Sequence, residues 1–381
     1  MTETDFLAAA RRLEPMVAEL RDTFDEDRQL PRTLVDALHA AGLFRLWLPH
    51  ALGGAELPPL PFLEVIEELS RQDGSLGWCT VIPAGYGRLS GALEEDVARR
   101  IFGAGGLLVG TLNPTGKAVA EPGGYRVSGR WSYGSFIGYG DWVLGNCIMQ
   151  GGKTEGPEFR LCLFPRADVE VFDIWHVGGL RATGSNDFQV SELFVPEEHT
   201  IRLEDFQPPP RRPGPLYAVP MTSTFVSCIA TVTLGIARAA IESVIEIGAD
   251  KRSAGGSTVL RDKPLAQADL ARAEALVRGA RAYLFDELGT MWQDTLAGRA
   301  IPLRARAAVR LAACYATECA IRAVDLMYQS AGGAALFTGS RLERCFRDIH
   351  AGGQHVAVSM QANLEPVGRV LFGLPPGLAR F

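Results

Sequence analysis

Apolar positions in the first 108 residues recur at helical spacing, and at about residue 109 the period changes to alternation. Leu7, Leu13, Val17 and Leu20 share one helical face, as do Leu34, Leu38 and Leu43 after a proline start at Pro31. LPHALGGAELP (48–58) predicts a loop, and FLEVIEELSRQD after it predicts a helix with Leu63, Ile66 and Leu69 on its apolar stripe. GSLGWCTVIPAGYG places small residues around Trp78 and Tyr86, a composition that fits a buried helix or the wall of a substrate pocket. Short apolar runs then appear at 107–112, 124–131, 141–149, 159–164, 168–174 and 188–195, which predicts a compact antiparallel β-domain. QPPPRRPGP (207–215) cannot be helical. Beyond it, four long helical segments are predicted, at about 219–250, 264–297, 302–331 and 342–371, the pattern of an antiparallel four-helix bundle. The expected fold is therefore α+β and mainly α. It has an N-terminal helical domain (1–108), a middle antiparallel β-domain (109–206), a Pro-rich linker (207–215) and a C-terminal helical bundle (216–381).

Composition narrows the classes. With 381 residues, 47% hydrophobic and 22% charged, the chain can bury a large core. A net charge of −6 without a Lys/Arg block argues against nucleic acid as a partner. The seven cysteines are scattered with no CxxC spacing, so neither a disulfide framework nor a metal site is suggested. MTETDFLAAARRLEP is charged and amphipathic, unlike a signal peptide, and no stretch reads as long and apolar enough to span a bilayer. A soluble cytoplasmic protein is expected.

Candidate chemistry concentrates in Gly123–Trp142. GGYRVSGRW reads as a β-hairpin, with Gly123-Gly124 and Ser128-Gly129 as turn material. The following run sets Trp131, Tyr133, Ser135 and Tyr139 on backbone kept thin by Gly134, Gly138 and Gly140. Small residues admit a flat ligand, aromatics cover its face and hydroxyls reach its polar edge. The same run also fits a loop-rich piece of β-domain with core aromatics.

This order of domains, and motifs along nearly the whole chain, resemble the acyl-CoA dehydrogenase superfamily. LPHALGG (48–54) is similar to the family's loop after its second helix, GTLNPTGKA (110–118) to its flavin-contacting loop, and WSYGS (131–135) to its segment over the flavin ring. Gln329, Gly332 and Gly333 precede Arg347-Asp348 by the family's spacing. The resemblance implies an acyl-CoA-dehydrogenase-like flavoprotein. Thr111, Asn113, Trp131, Tyr133 and Ser135 would contact the flavin, while Arg252 and the Gln329–Gly333 turn would hold the dinucleotide end of a neighbouring subunit's cofactor. A homotetramer follows from that sharing.

The departures from the family decide the chemistry. Its α-proton abstraction needs a carboxylate, yet the usual position of that base falls at Val356 and the alternative position at Phe225. His355 stands one residue before the displaced base, in RDIHAGGQHVA. That pattern, with Ser135 and GLRATGSNDFQVSELFVPEE (179–198), resembles the superfamily's flavin-dependent monooxygenases of the 4-hydroxyphenylacetate hydroxylase and dibenzothiophene monooxygenase type. These take reduced flavin, FMN or FAD, from a separate reductase and use oxygen to oxygenate a small molecule.

The implied catalytic residues are His355, as acid/base, and Ser135, as donor to the flavin's reactive edge. Trp78, Tyr86 and Tyr139 are candidates for the substrate pocket, Tyr139 standing where the branch often carries a histidine. Trp131 and Tyr133 either cover the cofactor ring or fill the β-domain core. His350 reads as structural, Arg347-Asp348 as an ion pair between helices, and the arginines of 299–322 as a solvated or intersubunit face. The expected function is a two-component monooxygenase acting on an aromatic or similarly apolar small molecule. The alternatives are an acyl-thioester dehydrogenase with a relocated base, and a catalytically silent flavin-binding protein.

Overall fold

Six helices precede the sheet: α1 (Glu3–Arg12), α2 (Glu14–Asp27), α3 (Arg32–Ala40), α4 (Pro59–Gln72), α5 (Gly74–Tyr86) and α6 (Glu95–Phe102). The computed structural model describes residues 3–151, 157–204, 207, 210–251, 258–378 and 381, and every structural statement below concerns these. Asp73 separates α4 from α5 and caps the latter, accepting the backbone N–H groups of Ser75 (2.9 Å) and Leu76 (3.3 Å). α5 is buried almost all round, so it is an internal element rather than an amphipathic surface helix. Gly77 permits its close approach to α4, because a Cβ there would lie 1.9 Å from Ser70 Oγ.

The described strands form one sheet: β1 (Leu108–Glu121), β2 (Gly124–Gly134), β3 (Trp142–Gln150), β4 (Phe159–Pro165), β5 (Glu170–Phe172), β6 (Asn186–Pro196) and β7 (Thr200–Leu203), in the order β5-β6-β2-β1-β3-β4-β7. All neighbours are antiparallel except β1 and β3, which run parallel and depart from the expected pattern. Alternation in sequence reports burial on one face and is blind to strand direction. The hairpin joins β1 to β2 through Gly123, at φ +82°. Ser128-Gly129, expected as turn material, instead lies inside β2 at a register shift against β6. Gly129 serves close packing there: a Cβ would lie 2.7 Å from Gly116 Cα and 2.9 Å from the Trp131 ring.

After the short α7 (Pro215–Ala218) come the bundle helices α8 (Met221–Asp250), α9 (Pro264–Leu296) and α10 (Leu303–Ala331), then α11 (Arg341–Gly352) and α12 (Met360–Leu371). α8 corrects one expectation, since by length and composition it is apolar enough to cross a membrane. Its most apolar stretch is 89% buried, packed against α4, α10 and α11, which identifies a core helix. The expected fourth helix is two: the chain breaks after Gly352 into a turn in which Val358 N–H bonds His355 O at 3.0 Å.

α11 fastens the three regions together. Arg347 donates to Asp25 of α2 (2.7 Å), to Glu343 on its own helix (2.7 Å) and to the carbonyl of Gly178 (2.6 Å). Arg344 donates to Arg21 O (2.6 Å) and reaches Asp73 at 3.4 Å. Asp348 turns away from its neighbour Arg347 and accepts the N–H of Leu180 at 2.6 Å. Leu180 sits at φ +52°, a left-handed conformation that costs a non-glycine residue about 1–3 kcal/mol and persists only where its surroundings impose it. Gly179 lets the loop touch α11, because a Cβ there would lie 2.1 Å from Arg347 O.

Burial, reinforced by the charge of Asp73, raises the Asp348 carboxyl from the ordinary 3.8 to about 8, against the opposing Leu180 N–H, Arg344 and Arg347. Between those values the folded chain keeps a proton that the unfolded chain has released, so stability falls as pH rises across that window, by up to about 1.4 kcal/mol per pH unit. Asp348→Asn removes the titration and retains an acceptor for Leu180. Its stability relative to the native chain, followed by urea unfolding, should climb from about pH 4 to about pH 8 and then level off. A difference constant with pH would contradict this account of Asp348.

Candidate active site

A cavity of about 530 Å³ opens where α5, the sheet and the bundle meet, within the roughly 300–1,000 Å³ usual for small-molecule sites. α5 contributes Trp78, Ile82 and Tyr86, whose side chains repeat at helical spacing on one face. β1 contributes Gly110 to Asn113, where its pairing with β3 shifts register. Gly110 is required by this bend: it sits at φ +130°, and a Cβ would lie 2.1 Å from Leu144 O. Asn146 steadies the same bend by donating to Leu112 O at 2.9 Å. The Tyr86 hydroxyl reaches Gly110 O at 3.4 Å and its pKa is pushed up by burial, so Tyr86 presents its ring to the cavity.

Ser135 lines the cavity, is 5% exposed and accepts the Trp78 indole N–H at 3.1 Å. Tyr133, 60% exposed and at φ +67°, stands at the cavity wall edge-on to Trp175, ring centres 6.2 Å apart. His355 occupies the turn between α11 and α12, with its ring centre 5.8 Å from Trp78 and 5.6 Å from Phe225. Its Nδ1 accepts the backbone N–H of Ala357 at 3.2 Å. The neutral imidazole therefore carries its proton on Nε2, which makes it a donor there.

Phe225 and Val356, which by the resemblance stand where the family carries its carboxylates, both line this cavity, and no Asp or Glu does so among the described residues. An apolar alcove of about 30 Å³ shares Ile82, Tyr86, Leu112, Met221 and Phe225 with it. Arg88 lies beside the alcove, donating to Thr224 Oγ1 (2.7 Å) and Val219 O (2.8 Å), its pKa lowered to about 10 by burial.

Two family models match the chain: acyl-CoA dehydrogenase, N-terminal domain, over residues 3–89 and acyl-CoA dehydrogenase, C-terminal domain, over residues 227–360. Indole-3-acetate monooxygenase of Pseudomonas putida is 30% identical over 378 residues, covering 97% of this chain and 95% of the relative. The chain belongs to the acyl-CoA dehydrogenase superfamily, in its flavin-dependent monooxygenase branch. The oxygenase subunit HsaA of a flavin-dependent monooxygenase from Mycobacterium tuberculosis is 28% identical, with 97% of this chain and 96% of the relative covered. The solved structure of XiaF from Streptomyces sp., in complex with FADH2 and glycerol, superposes with a TM-score of 0.91 at 25% identity, covering 99% of this chain and 97% of that one.

For a monooxygenase-branch protein the donor set of the cavity suits a flavin. Thr111, Ser135 and the amide of Asn113 offer polar contacts, with Thr183 and Ser185 hydrogen-bonded behind Ser135 and the aromatic pair Tyr133 and Trp175 also in the lining. Trp131 does not belong to that set. It is fully buried in the sheet's core, stacked on Phe188 at 5.2 Å and donating to Asn146 O at 2.8 Å, in a slot kept open by Gly116 and Gly145. The expected cofactor contact is therefore corrected. Trp131 and Tyr133 stand two residues apart on one strand, and the register shift beside Gly134 separates their surroundings.

Tyr139 is corrected as well: its hydroxyl donates to Leu30 O at 2.6 Å, and it lines a separate cavity of about 210 Å³ on the far side of Thr183. Gln329, Gly332 and Gly333 lie at the exposed end of α10 and do not reach this chain's own cavity. Arg252 lies outside the described residues. His350 is held by Asp325 at 2.9 Å, away from the cavity. Arg310 departs from the solvated face expected for its neighbours: it is buried, lines the cavity and donates to Asn363 Oδ1 at 2.7 Å. Trp175, Thr183, Ser185 and Asn363 escaped the sequence reading as site residues. The motif that holds Thr183 and Ser185 was visible, but nothing in its spacing showed which hydroxyls turn inward.

The two aromatics should separate by experiment. Trp131→Ala should destabilise the fold by about 3–5 kcal/mol, as core aromatic truncations do. Tyr133→Ala should leave the unfolding midpoint nearly unchanged and weaken flavin binding in a fluorescence titration. Equal stability losses in both variants would return Tyr133 to the core.

Proposed function

We propose that the chain is the oxygenase component of a two-component system, receiving FMN or FAD already reduced by a separate reductase and oxygenating an aromatic or similarly apolar small molecule. The observation that carries this reading is the pairing of His355 with apolar walls at Phe225 and Val356 in one cavity. A dehydrogenase needs a carboxylate there, and a relocated one is missing from the described lining. A relative named as an oxygenase subunit supports the division of labour with a reductase. Exposed Leu336 and Phe337 beside the Gln329–Gly333 turn support assembly into a homotetramer in which that turn serves a neighbour's cofactor.

A reduced flavin bound here supplies the two electrons with which oxygen is activated. The chain's own residues do the rest. Ile82, Tyr86, Met221 and Phe225 exclude water from the cavity and its alcove, which strengthens every polar contact inside. Thr111, Asn113 and Ser135 hold the polar edge of the bound ring. His355, held as the Nε2–H tautomer by Ala357 N–H, donates a hydrogen bond from Nε2 to a substrate oxygen and so steadies charge that develops on it.

Anaerobic mixing with reduced flavin, then admission of oxygen and an aromatic substrate, should give substrate-dependent oxygen incorporation. Saturated acyl-CoA thioesters should not bleach bound oxidised flavin, and rapid bleaching would restore the dehydrogenase reading. His355→Ala should lower turnover by about 10²–10⁴-fold with little change in flavin affinity. His355→Gln, which keeps an N–H donor, should retain more turnover than the alanine variant. Equal losses in the two would contradict the donor role.

A further inference from the structure

One wall of the cavity is a chain of side-chain hydrogen bonds that ends on a backbone carbonyl. Trp78 Nε1–H donates to Ser135 Oγ at 3.1 Å, Ser135 Oγ lies 2.7 Å from Ser185 Oγ, and Ser185 Oγ lies 2.6 Å from Thr183 Oγ1. Thr183 Oγ1 in turn donates to Leu180 O at 2.8 Å. Ser135, Ser185 and Thr183 are 5%, 3% and 1% exposed. Each hydroxyl owns a single proton. That of Thr183 goes to the carbonyl, so Ser185 must donate to Thr183, and Ser135 to Ser185. In this orientation Ser135 offers the cavity a lone pair and no proton.

The opposite orientation is equally complete. Ser135 donates into the cavity when Ser185 donates to Ser135 and Thr183 to Ser185. No heavy atom has to move, and only the Thr183 bond to Leu180 O is released. That carbonyl is not orphaned, because the Trp175 indole N–H also reaches it, at 3.1 Å. The far end of the chain is thus built so that reversal leaves no buried polar group unpaired.

We propose that Thr183, Ser185 and Ser135 form a reversible hydrogen-bond switch that lets Ser135 donate to oxidised flavin and accept from reduced flavin. The proposal rests on the flavin reading above. The flavin N5 position is an acceptor when oxidised and an N–H donor when reduced, so a fixed donor favours one redox state. A buried serine can turn its proton away from the ligand only if something else accepts it. Ser185 is that acceptor, and Thr183 is the acceptor behind it. Both are positioning residues, and the switch turns O–H bonds without breaking any.

Binding distinguishes the switch from a structural role. Dissociation constants of FMN and FAD, oxidised in air and reduced under argon, are measured on the full chain and on Ser185→Ala, Thr183→Val and Thr183→Ser. Ser185→Ala and Thr183→Val lock the Ser135 proton towards the cavity. They should raise the ratio of reduced to oxidised dissociation constants by about three- to tenfold. Thr183→Ser keeps the chain and should keep the native ratio. An unchanged ratio in the first two variants, even with both affinities weakened, overturns the switch and leaves the flavin reading standing. A Thr183→Ser ratio shifted as far as that of Thr183→Val also overturns it. A native chain that binds neither flavin in either state overturns both.

Discussion

The buried carboxyl of Asp348 is the constraint on which the site depends. Its hydrogen bond to Leu180 N–H fixes a left-handed residue, and Leu180 O is the point where the Thr183 hydroxyl and the Trp175 indole converge. The loop that walls the cavity is thereby referred to α11 rather than left to its own backbone preferences. Burying a carboxyl beside Asp73 is unfavourable, and its raised pKa is the trace of that cost. Arg344 and Arg347, spaced on the same helix, spread the attachment to α2, α5 and the loop, so three regions of the chain share one fastening.

By the resemblance, Val356 stands where the family carries a base, and His355 stands one residue before it. On a continuous helix adjacent residues point about 100° apart. The break after Gly352 places both in a turn, and both line the cavity. The same turn brings Ala357 N–H to His355 Nδ1, which selects the ring's tautomer. Local backbone geometry thus sets both the presence and the protonation pattern of the imidazole, while the apolar wall at Phe225 keeps the dielectric around it low.

Much of the fold was legible because it follows from periodicity. Helical spacing located α4 and the long bundle helices, and alternation located the strands, since each pattern reports a buried face. Two misreadings come from packing. Ser128-Gly129 reads as turn material, yet Gly129 brings its backbone against Gly116 of β1. No stretch reads as apolar enough to span a bilayer, yet α8 is, because its most apolar stretch is buried in the core.

The sequence by itself determined the family, the succession of helical, β and helical regions, and the loss of both carboxylates, because these depend on residue identity and order. Only the tertiary structure decided that Trp131 faces the sheet core while Ser135 faces the cavity. Only there does Arg310 turn inward, and only there do Thr183 and Ser185 complete a hydrogen-bonded chain with Ser135. The orientation of Ser135 is set by contacts between residues about 50 positions or more apart, such as Trp78, Ser135 and Ser185. Local sequence carries no record of such contacts.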